Sequence, residues 1–299
     1  MCNKIVVGGL GFLGFSLCCH FIEEEVNILA FDDMADDEEV KEEKLLRIGR
    51  NAFFRYRDIQ DFRSLMKEEN CDTVFYSLFD SAKDRYSPDI DACIGKTRQL
   101  LNDVISFCRM NGSKLILVST YDVFGNEQFV VDEDTKPVPD SDNGKLHVEE
   151  EKLVRETLAE ESIQYAIVRM PTLFGPGQPS HLIYQQAIMA NLKKQSRDYF
   201  VTENTRDIFY IEDAVHALVR LEEKTLPRKI IHLTSGEENR WYEGAYYIKN
   251  DLRLEERGEP RTIISKSSKK LLDIKPNTSI KEGVEKQIEY AKQLKERHK

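Results

Sequence analysis

The chain is poor in the features that mark several large classes of protein. Its six cysteines are Cys2, Cys18, Cys19, Cys71, Cys93 and Cys108; none forms a CxxC pair, and no histidine cluster lies near them at zinc-ligand spacing. A metal centre is therefore not expected, and six cysteines in 299 residues are too few for a disulfide framework. They read as small buried apolar residues in a reducing compartment. Positive charge is also short. Lys and Arg number 43 against 53 Asp and Glu, a net −10, which argues against the clustered basic surface that a nucleic-acid backbone requires. No internal repeat is present.

A membrane-spanning run is missing too, although one stretch imitates it. Ile5 to Ile22 carries no charged residue and follows Lys4. Yet Gly8, Gly9, Gly11 and Gly14 interrupt it, and glycine suits a helix interior poorly. Glu23, Glu24 and Glu25 follow where a secretory leader would place small residues for cleavage. Strand, glycine turn and helix is the better reading, and a cytoplasmic protein with no membrane partner is expected.

What is present suits one large domain or two coupled lobes with a sizeable core. Charge is uneven: from Arg261 onward there are 11 basic and 5 acidic residues, a local +6 that leaves −16 on the first 260. Interleaved acids make that tail a solvated helix face rather than a nucleic-acid arm.

The first 170 residues alternate short β-branched runs with amphipathic stretches. Strands are expected at Lys4–Val7, Val26–Phe31, Ala52–Tyr56, Thr73–Ser77, Lys114–Ser119 and Gln164–Arg169. Helices are expected at Phe12–Glu24, Ile59–Glu69, Ile90–Met110 and His147–Glu160. The acidic run Asp36–Glu43 reads as a helix face or a loop. This alternation predicts an α/β fold, a Rossmann-type doubly wound parallel sheet whose strands are buried on both faces. Pro171, Gly175, Pro176, Gly177 and Pro179 then make a turn-rich junction. Beyond it we expect helices near Leu182–Lys194, Glu212–Glu223 and Ile280–Lys295, with a strand near Lys229–Leu233. The expected division is a dinucleotide-binding domain over 1–170 and a smaller C-terminal α/β substrate lobe over 171–299, with elements in 206–235 able to return to the first.

Val7-Gly8-Gly9-Leu10-Gly11-Phe12-Leu13-Gly14 follows a strand and opens a helix, and it contains both GxGxxG and GxxGxxG. The early glycines allow a tight turn and close approach of a pyrophosphate, and the last lets helix and strand pack tightly. The helix N-terminus adds partial positive charge. Asp32 lies 18 residues after Gly14. A carboxylate there accepts hydrogen bonds from ribose hydroxyls and repels a 2′-phosphate. With no Arg or Lys in the next few residues, NAD is favoured over NADP. The alternative is a turn acid, since Asp is common at strand ends. Asp58, closing the third strand, is placed to reach an adenine amino group.

These motifs, with four more, resemble the extended short-chain dehydrogenases/reductases of the NAD-dependent epimerase/dehydratase type, which act mainly on nucleotide-activated sugars. The resemblance runs through Arg57-Asp58-Ile59, Ser119-Thr120-Tyr121-Asp122-Val123-Phe124-Gly125, Phe174-Gly175-Pro176-Gly177, Arg206-Asp207-Ile208-Phe209-Tyr210-Ile211-Glu212-Asp213, and Leu272-Asp273-Ile274-Lys275-Pro276 with Ile280 and Gly283. It implies NAD held by Gly8, Gly11, Phe12, Leu13, Gly14, Asp32, Asp58, Ile59 and the residue at 147. It implies a nucleotide-diphosphate sugar held by Thr120, Thr172 and Arg206, the arginine clamping the diphosphate. It also implies a homodimer formed through the helices at Ile90–Met110 and His147–Glu160. The alternative for Arg206 is a surface arginine paired with Asp207 or Glu212.

The family's chemistry uses a Tyr-x-x-x-Lys pair on one helix face, in which the lysine lowers the phenol's pKa so that it can take a substrate proton. Here those positions hold Asn143 and His147, and no tyrosine in the chain has Lys four residues on. An amide cannot shuttle a proton. His147 can hold a ribose or titrate near neutrality, or it is an exposed helix residue. Two of the family's substrate-contacting asparagines are Cys93 and Thr172 here. Thr120 keeps the family's hydroxyl, and Tyr121 and Asp122 are candidate substitute acid–base groups. Two functions follow: an epimerase or dehydratase with atypical acid–base residues among Thr120, Tyr121, Asp122, Asn143 and His147, or a catalytically inactive subunit that binds NAD or a nucleotide sugar as sensor or scaffold.

Overall fold

The computed structural model describes residues 3–34, 38–65, 69–78, 89–195, 199–201, 206–237, 239–248, 254–256, 260–266 and 276–297. The chain divides into two compact units. One comprises 1–125, 137–169 and 218–231; the other comprises 126–136, 170–217 and 232–299.

The first unit is a seven-stranded sheet. Its strands are β1 (Lys4–Val7), β2 (Ile28–Asp32), β3 (Phe54–Asp58), β4 (Thr73–Tyr76), β5 (Lys114–Thr120), β7 (Tyr165–Met170) and β11 (Lys229–His232). The spatial order is β11-β7-β5-β4-β1-β2-β3. β1 pairs in parallel with β2 and with β4, placing Val7 beside Phe31 on one side and Tyr76 on the other. Sequence order runs outward in opposite directions from β1 and β4, so the switch point of a doubly wound sheet lies between them. All residues of β2 and β4 are buried, as apolar runs of a two-sided sheet should be. Parallel pairing also puts the strand ends Val7, Asp32, Asp58, Tyr76 and Thr120 on one edge.

Helices α1 (Phe12–Glu23), α2 (Glu38–Ile48), α3 (Phe62–Leu65), α4 (Ile90–Asn111) and α5 (Asp142–Thr157) belong to this unit. α4 buries Leu101, Val104, Ile105, Phe107 and Cys108, the spacing of one helix face. Asp89 caps its start through Ala92 N–H, and Gly112 in the left-handed region ends it. Phe62 meets Phe31 at 4.8 Å and Phe107 at 6.0 Å between ring centroids, and each such buried ring contributes about 2–3 kcal/mol by area. At the opposite edge, Glu222 accepts hydrogen bonds from Lys4 Nζ at 2.5 Å and Thr73 Oγ1 at 2.7 Å, and its carbonyl accepts from Lys114 Nζ at 2.7 Å.

Several boundaries differ from the sequence expectation for local reasons. Glu25 takes a positive φ of 57°, so β2 starts at Ile28 rather than Val26. Ser141 caps α5 by accepting from Gly144 N–H at 3.0 Å, and the helix begins five residues before His147. The stretch from Ile59 is a single 3-10 turn followed by α3, capped by Asp58. The acidic run is helical from Glu38 onward.

The second unit holds three two-stranded parallel pairings: β8 (Thr172–Phe174) with β10 (Ile208–Tyr210), β9 (Tyr199–Val201) with β12 (Leu254–Glu256), and β6 (Val130–Val131) with β13 (Thr262–Ile263). Its helices are α6 (Ile183–Leu192), α8 (Arg240–Ile248) and α9 (Ile280–Arg297), while α7 (Ile211–Glu222) is the segment along which the chain passes from this unit to the first. Of these, only the helices near 182–194, 212–223 and 280–295 and the strand near 229–233 were expected. The core centres on Phe174, Tyr184, Tyr210 and Trp241, in edge or tilted ring contacts of 5.4–6.0 Å. Fully buried Gln287 on α9 accepts from Gly175 N–H at 3.0 Å and donates to Gln178 at 2.8 Å and Gln185 at 3.1 Å.

Candidate functional site

Gly8 takes φ +83°, and a Cβ on it would lie 2.6 Å from the Ser77 carbonyl oxygen. A Cβ on Gly14 would lie 2.0 Å from the Gly8 carbonyl oxygen, so α1 rests directly on the turn. Gly11 is the N-cap of α1 and offers no side-chain cap to the first N–H groups of Phe12 and its neighbours, which leaves an anion-binding helix terminus at the sheet's switch point. Phe12, Leu13 and Gly14 are buried in that first turn.

Asp32 is 1% exposed, and its carboxylate is engaged. Oδ2 accepts from Leu10 N–H at 2.7 Å; Oδ1 accepts from Asp33 N–H at 2.9 Å and from Lys41 Nζ at 2.8 Å. Lys41, itself buried, also donates to the Asp33 carbonyl. Three residues on, Lys44 donates to the carbonyls of Leu10 and Gly11 at 2.7 and 3.2 Å, and Lys44 and Arg47 both lie over the Phe15 ring. No cation follows Asp32 closely in sequence, but α2 brings one onto it. Asp58 pairs in register with Asp32, and its Oδ1 accepts from Gln60 N–H at 2.9 Å; Ile59 begins that turn.

Of the residues expected to carry chemistry, Thr120, Tyr121, Asp122 and Asn143 come together at the end of β5. Thr120, 6% exposed, caps the following turn by accepting from Asp122 N–H at 3.2 Å. Tyr121 is buried at 2%, whereas Asp122 is exposed. Asn143 Nδ2 donates to Asp122 Oδ2 at 2.8 Å. A Cβ on Gly144 would lie 2.0 Å from the Asp122 carbonyl oxygen, so this glycine lets the first turn of α5 sit on the turn after Thr120. His147 is 1% exposed, which removes the reading of an exposed helix residue; its Nδ1 lies 2.8 Å from the equally buried Glu150 Oε2. The next residue, Glu151, accepts from Ser119 Oγ at 2.6 Å and takes a two-pronged guanidinium from fully buried Arg169, at 2.8 and 2.6 Å. Arg169 lies over the Phe124 ring at 4.9 Å. Cys93 lies on α4 and is half-buried.

In the second unit, Thr172 opens β8 opposite Ile208 and lines a small pocket with Phe174, Gln178, Tyr184 and Trp241. Arg206 is 5% exposed, with its guanidinium 5.4 Å above the Tyr242 ring, so it is not a surface arginine. Asp207 accepts from Thr234 Oγ1 at 2.8 Å, Ser235 N–H at 2.8 Å and Ser235 Oγ at 2.7 Å. Glu212 accepts from Tyr210 at 3.2 Å. Residues 271–275, which carry most of the closing motif, lie outside the described residues. Cys18, Cys71 and Cys108 are buried and Cys19 and Cys93 half-buried, all as free thiols. No group of metal-ligand residues occurs among the described residues, nor does a helix long and apolar enough to cross a membrane.

A doubly wound sheet with a glycine turn at its switch point and an acid closing the second strand defines a dinucleotide-fold protein. The chain belongs to the NAD dependent epimerase/dehydratase family, whose sequence model matches residues 5–234. It is 25% identical to a Bacillus subtilis protein described as an uncharacterized UDP-glucose epimerase, over 97% of this chain and 98% of the other. Its fold is that of the Bacillus cereus UDP-glucuronic acid 4-epimerase solved with NAD, with TM-score 0.84, 21% identity, and 98% and 99% of the two chains covered. The dTDP-glucose 4,6-dehydratase of Bacillus anthracis, also solved with NAD, aligns with TM-score 0.82 at 15% identity over 99% and 98%.

Sequence reasoning passed over Lys41, Lys44, Glu150 and Glu151. A signal existed for the first two: Lys41, Lys44 and Arg47 recur every third residue in an otherwise acidic helix, a stripe on one face. The two glutamates sit in a run of three that reads as solvated, and nothing local shows that two of them point inward.

Proposed function

We propose that the protein binds NAD in its first unit and a nucleotide-diphosphate sugar through its second, and that it acts in the cytoplasm as an epimerase or dehydratase with Asp122 as the proton-transferring group. The observation that carries the dinucleotide is the glycine turn and α1 terminus set beside Asp32 on the switch-point edge. NAD, when bound, supplies the hydride acceptor at a sugar carbon. Gly8, Gly11, Phe12, Leu13 and Gly14 bring backbone to the pyrophosphate; Asp32, Asp58 and Ile59 border the adenosine. Asp32 Oδ2 keeps one acceptor position beyond the Leu10 bond, and Lys41 offsets the carboxylate's charge at the ribose.

Around the sugar, Thr120 holds the reacting oxygen by its hydroxyl. Asp122 is the exposed acid beside it, and Asn143 orients it by donating to Oδ2. Asn143 itself moves no proton. Tyr121, expected as an alternative acid–base group, contributes packing from its buried position. His147 is held by Glu150 and supports the helix that carries Asn143. In the second unit Thr172 and Arg206 contact the sugar nucleotide, the arginine at the diphosphate. Helices α4 and α5 form a homodimer interface.

The test is turnover of the purified protein with NAD and a panel of UDP-, dTDP-, GDP- and CDP-sugars, read as reduced nicotinamide absorbance and new sugar products. A panel member that is converted supports the enzyme. Tight NAD binding with no conversion of any member overturns it in favour of a sensor or scaffold. That second reading is favoured by Asn143 and a buried His147 where the family has its Tyr and Lys. Asn143→Tyr combined with His147→Lys separates the two: gain of activity in an inert protein marks a decayed site, and loss from an active one marks a replaced catalyst.

A further inference from the structure

Lys44 stands on α2 three residues after Lys41, on the same helix face. It is half-buried, and its ammonium donates to the carbonyl of Leu10 at 2.7 Å and to that of Gly11 at 3.2 Å. It also lies 5.4 Å from the centroid of the Phe15 ring. Those carbonyls belong to the two peptides that lead from the glycine turn into α1. The turn cannot hold itself. Gly9 and Gly11 flank Leu10, glycine leaves its dihedrals loose, and Gly11 has no side chain with which to cap the helix. The ties come from outside. Leu10 N–H is held by Asp32 Oδ2 at 2.7 Å, Lys41 holds the other oxygen of Asp32 at 2.8 Å, and Lys44 holds the carbonyl side.

A peptide unit is planar and trans, so fixing its carbonyl also aims its N–H the opposite way. The N–H of Gly11 is spent on the Gly8 carbonyl at 3.1 Å. The Gly11 carbonyl accepts from Phe15 N–H at 3.1 Å, the first hydrogen bond of the helix. The N–H of that same peptide is Phe12's, and it points out of the helix start, where an anion binds. An ammonium at the carbonyl end polarises the peptide and makes this N–H a stronger donor. Drawing a lysine partly out of water to reach two backbone carbonyls costs solvation, and a residue serving solubility alone would stay in water. Asp32 is answered by Lys41, so Lys44 is not needed as its counter-ion. We propose that Lys44 is a cofactor-positioning residue. It locks the peptides from Leu10 to Phe12 so that Phe12 N–H meets a phosphoryl oxygen of the dinucleotide's pyrophosphate, and it makes no contact with the dinucleotide itself. This rests on the proposed seat of the pyrophosphate at the α1 terminus, and it gives α2 a part that the glycine motif does not mark.

The experiment is calorimetric titration of the full-length protein with NAD, ADP-ribose, adenosine and UDP. It compares wild type, Lys44→Met, Lys44→Arg and Gly11→Asp. Lys44→Met should weaken NAD and ADP-ribose, which carry the pyrophosphate, by about 10-fold, the size of one charge-assisted hydrogen bond. Adenosine and UDP should bind as they do to wild type. Lys44→Arg, which keeps a long cationic donor, should restore NAD affinity. A Lys44→Met protein that binds NAD like wild type overturns the proposal, and so does equal weakening of adenosine or UDP, which marks a general loss of structure. Gly11→Asp tests the seat itself. An aspartate suits the N-cap and should fold, but its carboxylate should repel the pyrophosphate and abolish NAD binding. If Gly11→Asp loses NAD while Lys44→Met keeps it, the seat stands and Lys44 has no part in it. If Gly11→Asp binds NAD like wild type, both fall. Should Lys44→Met fail to fold, Lys44→Gln, which removes the charge and shortens the reach, carries the same expectation and decides.

Discussion

Lys41 and Asp32 hold each other in a place where neither meets solvent. Removing one member of such a pair leaves an uncompensated buried charge, at a cost of about 3–5 kcal/mol. Lys41→Met should lower the urea unfolding free energy by about that much; a loss under 1 kcal/mol would show that the carboxylate is solvated or differently paired. Asp122 is exposed, with its carboxylate accepting from the Asn143 amide, so Asp122→Asn should fold normally. It should reduce turnover by about 100-fold or more, the usual contribution of a positioned proton-transfer group, with NAD affinity unchanged. Equal activity in the variant would move the chemistry elsewhere. Asp207 carries a pH signature. Burial pushes its carboxyl above the ordinary range, while the Ser235 and Thr234 hydrogen bonds and the Arg240 charge pull it back. A carboxyl raised in the fold favours folding below the unfolded value of about 4 and loses that contribution as pH rises through the native value. Asp207→Asn should therefore gain on wild type in unfolding free energy as pH climbs from about 4, and a pH-independent difference would refute the shift.

Helix α5 places Asn143 against Asp122 because Gly144 lets its first turn touch the Asp122 carbonyl. Gly144→Ala forces that contact apart, and overpacking of this kind costs about 1–3 kcal/mol. Melting temperature should fall, and turnover should fall with Asn143 displaced; an unchanged melting temperature would mean the turn already has slack. The element scale is also where sequence reading was strongest. The glycine turn, the Asp32 strand end and the alternation of β1 to β5 with their helices follow from local pattern, because β1, β2, β4 and β5 are short apolar runs and a Cβ on Gly8, Gly9 or Gly14 would collide. Reading weakened where partners come from far along the chain. Lys41 meets Asp32 only after α2 folds back, Arg169 meets Glu151 across strand and helix, and the three glutamines 178, 185 and 287 converge from separate segments. The paired strands of the second unit are only two or three residues long, too short to carry a periodicity. His147 read equally well as exposed, since one side chain in a polar helix carries no inward signal.

At the scale of the whole molecule, a net charge of −10 is compatible with the proposed anionic ligands, because their binding is assigned to local devices, the α1 terminus and Arg206, rather than to the global charge. The homodimer proposed through α4 and α5 predicts a sedimentation mass near twice the 34.7 kDa chain, and a monomer at micromolar concentration would remove it. The apportioning of the chain into six alternating segments has a consequence for biosynthesis. The strand edge that begins with Lys4 is tied off by Glu222, and β11 arrives only at Lys229–His232. A nascent chain that has emerged only as far as residue 170 holds the dinucleotide turn but lacks these closures, and residues 126–136 still await partners beyond residue 260. The first unit therefore waits for residue 231 and the second for segments beyond residue 260, and the protein should depend on holding chaperones more than a chain of two consecutive domains does.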